Sequence, residues 1–170
     1  AAGTDVVLVG DSLGMVIQGY DTTVPVTLDN VIYHCKAVAR SLARPFLMAD
    51  MPFMTYTSRE TALANAVRLM QEGGAKMVKL EGGAGQVEIV EFLANHDIAV
   101  CAHLGLKPQS VHKTGGFRVQ GKTAAEASRA PHSNAATCAA APAWVPPLSD
   151  RSPCAGCISS AVPSTSRPPL

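Results

Sequence analysis

The sequence predicts an α/β fold, a parallel β-sheet covered by helices. Two observations carry this prediction. Short apolar runs alternate with stretches of helical periodicity through the first 103 residues. The runs are continuously apolar rather than alternating, as strands covered on both faces require, and strand–helix repetition of this kind builds parallel sheets.

The elements follow in order. Val6–Val9 is a β-branched run that ends in Gly10-Asp11-Ser12. A connection read as long, polar and non-helical leads to residues 28–42, where Val31, Ile32, Cys35, Val38, Ala39 and Leu42 recur at helical spacing. Residues 46–49 form a second strand that ends at Asp50. Thr57-Ser58-Arg59-Glu60 fits a capping box with Thr57 as the cap, and Ala62, Leu63, Ala66, Val67 and Met70 continue that helix until Gly73-Gly74 stops it. Residues 77–80 are the third strand, followed by Glu81-Gly82-Gly83. Val87, Val90, Leu93 and Ala94 share one side of a further helix, and residues 98–101 form a fourth strand before His103.

At 170 residues the chain is long enough for one domain with a sizeable core. A net charge of +1 excludes a basic nucleic-acid binder that works by phosphate neutralisation, and no run of about 18 apolar residues is present to span a membrane. Five irregularly spaced cysteines do not make a disulfide framework, so a reducing, cytoplasmic setting is expected. The composition changes sharply after residue 123. Residues 1–123 carry 11 Lys+Arg and 11 Asp+Glu, whereas 124–170 hold 12 Ala, 8 Ser, 8 of the 12 prolines, three Arg and two acids. That segment reads as an irregular tail without packed structure. It originates either in a shifted reading frame or as a low-complexity extension.

Side chains just past the strand C-termini converge on one rim of a parallel sheet, where α/β proteins bind ligands. Here those residues are Asp11, Asp50, Glu81 and His103. Taken singly, each acid has an ordinary explanation: Asp11 can cap a turn, Asp50 can be a surface acid before Pro52, and Glu81 can pair with Lys79. Their recurrence at one point of the repeat favours a hard-cation site, with carboxylates that hold Mg²⁺ and leave positions open for substrate oxygens. Lys79 alternates with Glu81 and faces the same side, a cation for an anionic substrate. Ser12 lies within G-D-S-L-G, which has the letters of a nucleophile elbow without a helix expected after it, so a hydroxyl donor to a substrate carboxylate is the reading adopted. His103 is a candidate catalytic or orienting group, with a structural role as its alternative. The Cys154…Cys157 pair supplies only two ligands and reads as chance, while Cys35, Cys101 and the methionines read as packing, with Met51 and Met54 as possible pocket residues. Tyr33 and Tyr56 read as structural.

VLVGDSLGM with QGYDTTVPVT, then FLMADMPFMTY, MVKLEGG, and CAHLGLKPQSV followed by GGFRVQGK resemble, in order and spacing, the ketopantoate hydroxymethyltransferase family. The resemblance covers about residues 3–122. It implies a (β/α)8 TIM barrel, of which this chain supplies about four βα units, an incomplete barrel followed by a non-homologous tail. It implies that Asp11, Asp50 and Glu81 bind Mg²⁺, and that Asp11, Ser12, Asp50 and Lys79 contact 3-methyl-2-oxobutanoate. In the implied reaction the keto acid is deprotonated to an enolate, which attacks the methylene carbon of the co-substrate 5,10-methylenetetrahydrofolate to give ketopantoate for pantothenate biosynthesis. The family's general base, a Glu in a Leu-Glu-Cys-Val-like run, has no match after residue 122, and Glu126 in AAEASRA does not take that role. A homo-oligomer is expected for the family, with no nucleic-acid or membrane partner. The alternatives are another Mg²⁺-dependent enolate enzyme on the same barrel, or a non-catalytic product that binds only metal or keto acid.

Overall fold

The computed structural model describes residues 3–117, so expectations for 118–170, including the 124–170 tail, Glu126 and the Cys154…Cys157 pair, lie outside the described residues. Four parallel strands, β1 (Val6–Val9), β2 (Phe46–Asp50), β3 (Met77–Glu81) and β4 (Val100–His103), form one sheet in the order β1-β2-β3-β4. Between them lie α1 (Leu13–Val16), α2 (Leu28–Ala39), α3 (Arg59–Gln71) and α4 (Val87–Ala94), and α5 (Val111–Thr114) follows β4. The parallel, helix-covered sheet predicted from the apolar runs is therefore present.

Strand parity divides the sheet into two faces. Val9, Leu47, Ala49, Val78, Leu80 and Val100 are buried in one hydrophobic cluster with Val31 and Cys35 of α2, Ala62, Ala66 and Leu69 of α3, and Leu93 of α4. The register pairs Val9 with Ala49, Asp50 with Lys79, and Glu81 with His103. The intervening residues thus occupy the other face, where Val6 and Leu8 are each 41% exposed. The ionisable side chains at the strand ends belong to this second face, away from the helix-packed core.

Several boundaries differ from the sequence reading. The cap of α3 is Ser58, whose side chain accepts from the Thr61 backbone N–H, rather than Thr57. Ser58 has the extended backbone that a cap needs, and the reciprocal capping box appears instead at α2, between Thr27 and Asn30. Helix α2 stops at Ala39 rather than residue 42, and its three-residue extension becomes a turn, with Ser41 N–H bonded to Val38 O. The fourth strand is Val100–His103 rather than 98–101, so His103 lies within the strand, as its last residue, instead of just past it. The connection after Ser12 does begin with a helical turn, α1, although most of it is irregular. Gly74, with φ +77, ends the α3 segment as its position predicts.

The core under β2 and β3 rests on fully buried α3 side chains. Leu69→Ala is expected to cost about 2–5 kcal/mol by cavity formation, because Leu69 is completely enclosed. Tyr33→Ala, at 71% exposure, is expected to stay within about 0.5 kcal/mol. Urea unfolding midpoints of the two variants check this contrast.

Candidate functional site

Asp11 follows β1, Asp50 ends β2, and Glu81 ends β3; all three are buried, at 3%, 5% and 6% exposure. Asp50 is the joint among the first three strands. Its Oδ2 accepts the Asp11 backbone N–H at 3.0 Å, and its Oδ1 accepts from Lys79 Nζ at 2.6 Å. The contact is possible because register places Asp50 beside Lys79 and because Gly10 has no side chain. A Cβ on Gly10 would lie 3.1 Å from Ser12 Oγ and 3.2 Å from Asp50 Oδ2, tighter than ordinary contact. Lys79 thus pairs with Asp50, not with Glu81. Ser12 is exposed at the head of α1, and its hydroxyl makes no capping hydrogen bond. The strand–turn–helix context of an elbow therefore exists, but among the described residues no histidine hydrogen bonds to Ser12, so the nucleophile reading gains nothing from it.

Glu81 and His103 form the other half. His103 Nδ1 lies 3.3 Å from Glu81 Oε1 without hydrogen-bond alignment, and this enclosed nitrogen has no hydrogen-bond partner among the described residues. Glu81 Oε2 accepts the backbone N–H of Gln109 at 3.0 Å. The Gln109 side chain continues to the first half, where Nε2 donates to Asp11 Oδ2 at 2.8 Å and to Met51 O at 2.9 Å. Tyr56 donates its hydroxyl proton to Gln109 Oε1 at 2.5 Å and accepts the Glu81 backbone N–H at 3.3 Å. Gln109 is the site residue that sequence reasoning missed. Its signal was weak: one polar side chain in K-P-Q-S, six residues past His103. Tyr56, read as structural, is hydrogen-bonded within the site, and Met51 is fully buried, with its carbonyl facing Gln109.

Three buried carboxylates share one lysine, and the electrostatics record the shortage of positive charge. The Asp11 carboxyl is pushed up from 3.8 to about 6, first by burial and then by Asp50, against the Gln109 hydrogen bond. Asp50 is also raised, because burial outweighs its Lys79 and Asp11 N–H contacts. Such a cluster suits a divalent cation with oxygen ligands, since each carboxylate keeps lone pairs beyond those already used. Among the described residues, however, no three His, Cys, Asp or Glu side chains close around one point. Asp11 and Asp50 lie together, and Gln109 stands between Asp11 and Glu81. Beside Glu81 and Gln109 opens a cleft of about 370 Å³ lined by Phe53, Met54, Tyr56, the Gly82–Gly85 loop and Lys107.

The raised Asp11 value has a consequence for stability. The folded chain keeps a proton on Asp11 at pH values where the unfolded chain has released it. The contribution of this group is therefore favourable below its unfolded value of 3.8 and is lost as pH rises toward about 6. Asp11→Asn, which retains an acceptor for Gln109, is expected to stabilise the metal-free protein at pH 7.5 by up to about 2–3 kcal/mol. The advantage should vanish near pH 4, and urea unfolding with a chelator at both pH values measures it.

Comparison with known proteins adds an independent line. The sequence profile described as ketopantoate hydroxymethyltransferase matches residues 1–145, further than the 3–122 read from motifs. The 3-methyl-2-oxobutanoate hydroxymethyltransferase of Halorhodospira halophila is 60% identical over 128 residues, which are 75% of this chain and 46% of the relative. Those of Nitrosococcus oceani and Burkholderia multivorans are 58% and 57% identical over 129 and 128 residues, covering 76% and 75% of this chain and 49% and 47% of theirs. The chain spans about half the length of these curated relatives. With motifs, profile and relatives in agreement, this chain belongs to the ketopantoate hydroxymethyltransferase family.

Proposed function

We propose that this chain carries the metal and keto-acid part of a hydroxymethyl-transfer site, in which 3-methyl-2-oxobutanoate receives a one-carbon unit from 5,10-methylenetetrahydrofolate to give ketopantoate for pantothenate synthesis. The observation that carries the reading is the buried Asp11–Asp50–Lys79 arrangement at the C-terminal ends of parallel strands. The names of the curated relatives support the substrate and the transferred group. The four parallel units belong, on this reading, to a (β/α)8 barrel.

Asp11 and Asp50 would hold a hard divalent cation, Mg²⁺ in this reading, and Glu81 would be the third carboxylate facing it. When bound, such a cation supplies positive charge beside the carboxylate and keto oxygens of the substrate, which acidifies the neighbouring C–H. Lys79 provides the fixed cation of the pocket. Its ammonium, already held by Asp50, meets the substrate carboxylate without having to be ordered on binding. Ser12, exposed next to Gly10 and Asp50, donates its hydroxyl to the same end of the substrate. His103, whose Nδ1 is enclosed 3.3 Å from Glu81 Oε1 without a hydrogen bond, would orient the substrate from the β4 side. No residue from 3 to 117 is assigned the proton-abstracting role. A positioned base is worth about 10²–10⁴-fold in rate, so keto-acid binding and turnover are separable properties of this chain.

Among the described residues no helix is long and apolar enough to cross a membrane. Titration calorimetry with Mg²⁺ and 3-methyl-2-oxobutanoate tests the proposal. The wild-type chain is expected to bind the two together, and Asp50→Ala to lose at least 10-fold in affinity. That variant removes one carboxylate and leaves Lys79 unpaired, the costly way to break a buried ion pair. Equal affinities would move the site elsewhere.

A further inference from the structure

We infer that Gln109 is a positioning residue: its side-chain amide fixes the Asp11 carboxylate, and its backbone fixes Glu81, in the orientations that receive the cation and the keto acid. The inference rests on the reading under Proposed function and assigns a role to a residue outside the cation and keto-acid ligand set.

The terminal torsion of an aspartate is broad, so burial alone does not set the direction of its oxygens. Asp11 also lies against the like charge of Asp50, which favours rotation away from it. The donor on Oδ2 decides the matter: Gln109 Nε2 holds that oxygen at 2.8 Å and leaves Oδ1 for a ligand. The amide has only one workable orientation. Both Nε2 hydrogens are used, on Asp11 Oδ2 and Met51 O, while Oε1 faces the Tyr56 hydroxyl. A flipped amide would set oxygen against two acceptors. Tyr56 is oriented in turn by the Glu81 backbone N–H, and the Gln109 backbone N–H returns to Glu81 Oε2. A closed circuit thus runs from Glu81 through Tyr56 to Gln109 and back, with an arm to Asp11, 98 residues away in sequence. Gln109 is 6% exposed, so water does not compete for these bonds. Partners of this kind set ligand orientation and, when mutated, typically change metal affinity 10–100-fold.

The test uses the full chain, Mn²⁺ as an EPR-visible probe, and 3-methyl-2-oxobutanoate. Gln109→Met keeps length and volume but removes the donor; it is expected to lower Mn²⁺ affinity roughly 10- to 100-fold. Tyr56→Phe, which deletes one oxygen, is expected to give a smaller loss with a changed Mn²⁺ spectrum. The double variant should match Gln109→Met alone, because Tyr56 acts through Gln109. A merely structural role would shift unfolding midpoints additively and leave the affinity and spectrum of the folded fraction unchanged; that result overturns the inference. Should Gln109→Met fail to fold, Tyr56→Phe decides, with wild-type affinity and spectrum overturning the proposal. Absence of Mn²⁺ and keto-acid binding in the wild type would instead refute the underlying functional reading, and the role of Gln109 with it.

Discussion

The ion pair between Asp50 and Lys79 is the interaction on which the site depends. One carboxylate accepts a lysine ammonium from β3 and a backbone N–H from the end of β1, so three strands meet on a single buried group. Buried ion pairs do not favour folding strongly, because desolvation offsets most of the attraction. Their effect is geometric: with both Asp50 oxygens committed, the Asp11 backbone and the Lys79 ammonium are both held against the end of β2. Gly10 is part of the same constraint, since any Cβ there would press on Asp50 and Ser12.

This arrangement places carboxylates in the interior with little positive charge to balance them. The raised Asp11 and Asp50 carboxyls show that the fold tolerates charges it does not fully neutralise. The hydrophobic layer on the opposite face of the sheet carries the cost, with Leu69, Leu93, Val31 and Val78 packed without exposure. The two faces of one sheet therefore differ in character, an apolar helix-packed layer on one side and the ionisable side chains of the strand ends on the other.

The periodic features were legible in the sequence because they are local. Apolar runs and helical spacing give the strands and helices, and the recurrence of acids at strand ends gives Asp11, Asp50 and Glu81. Features that depend on register or on distant chain were not legible. The partner of Lys79 is Asp50 because β2 and β3 align those two residues, and nothing in the run MVKLE reveals that alignment. Gln109 reaches Asp11 across 98 residues from a short 3-10 turn, where one glutamine among polar neighbours carries no pattern. The cap of α3 differs by one residue because Thr57 and Ser58 are both competent cap residues, and it is the Ser58 side chain that accepts the Thr61 N–H.

Register divides the ionisable side chains of the rim into two levels. Asp50 is level with Lys79, whereas Glu81 lies two residues further along β3, level with His103. At about 3.3 Å per residue, the two levels are separated by roughly 6.6 Å. The lower level contains the ion pair, to which the Asp11 backbone N–H is bonded; the upper contains Glu81 and His103. Gln109 is the one side chain whose groups hydrogen-bond to carboxylates on both levels, through its backbone above and its amide below. The segment after β4 therefore ties the two halves of the site together, although it belongs to none of the strands that carry them.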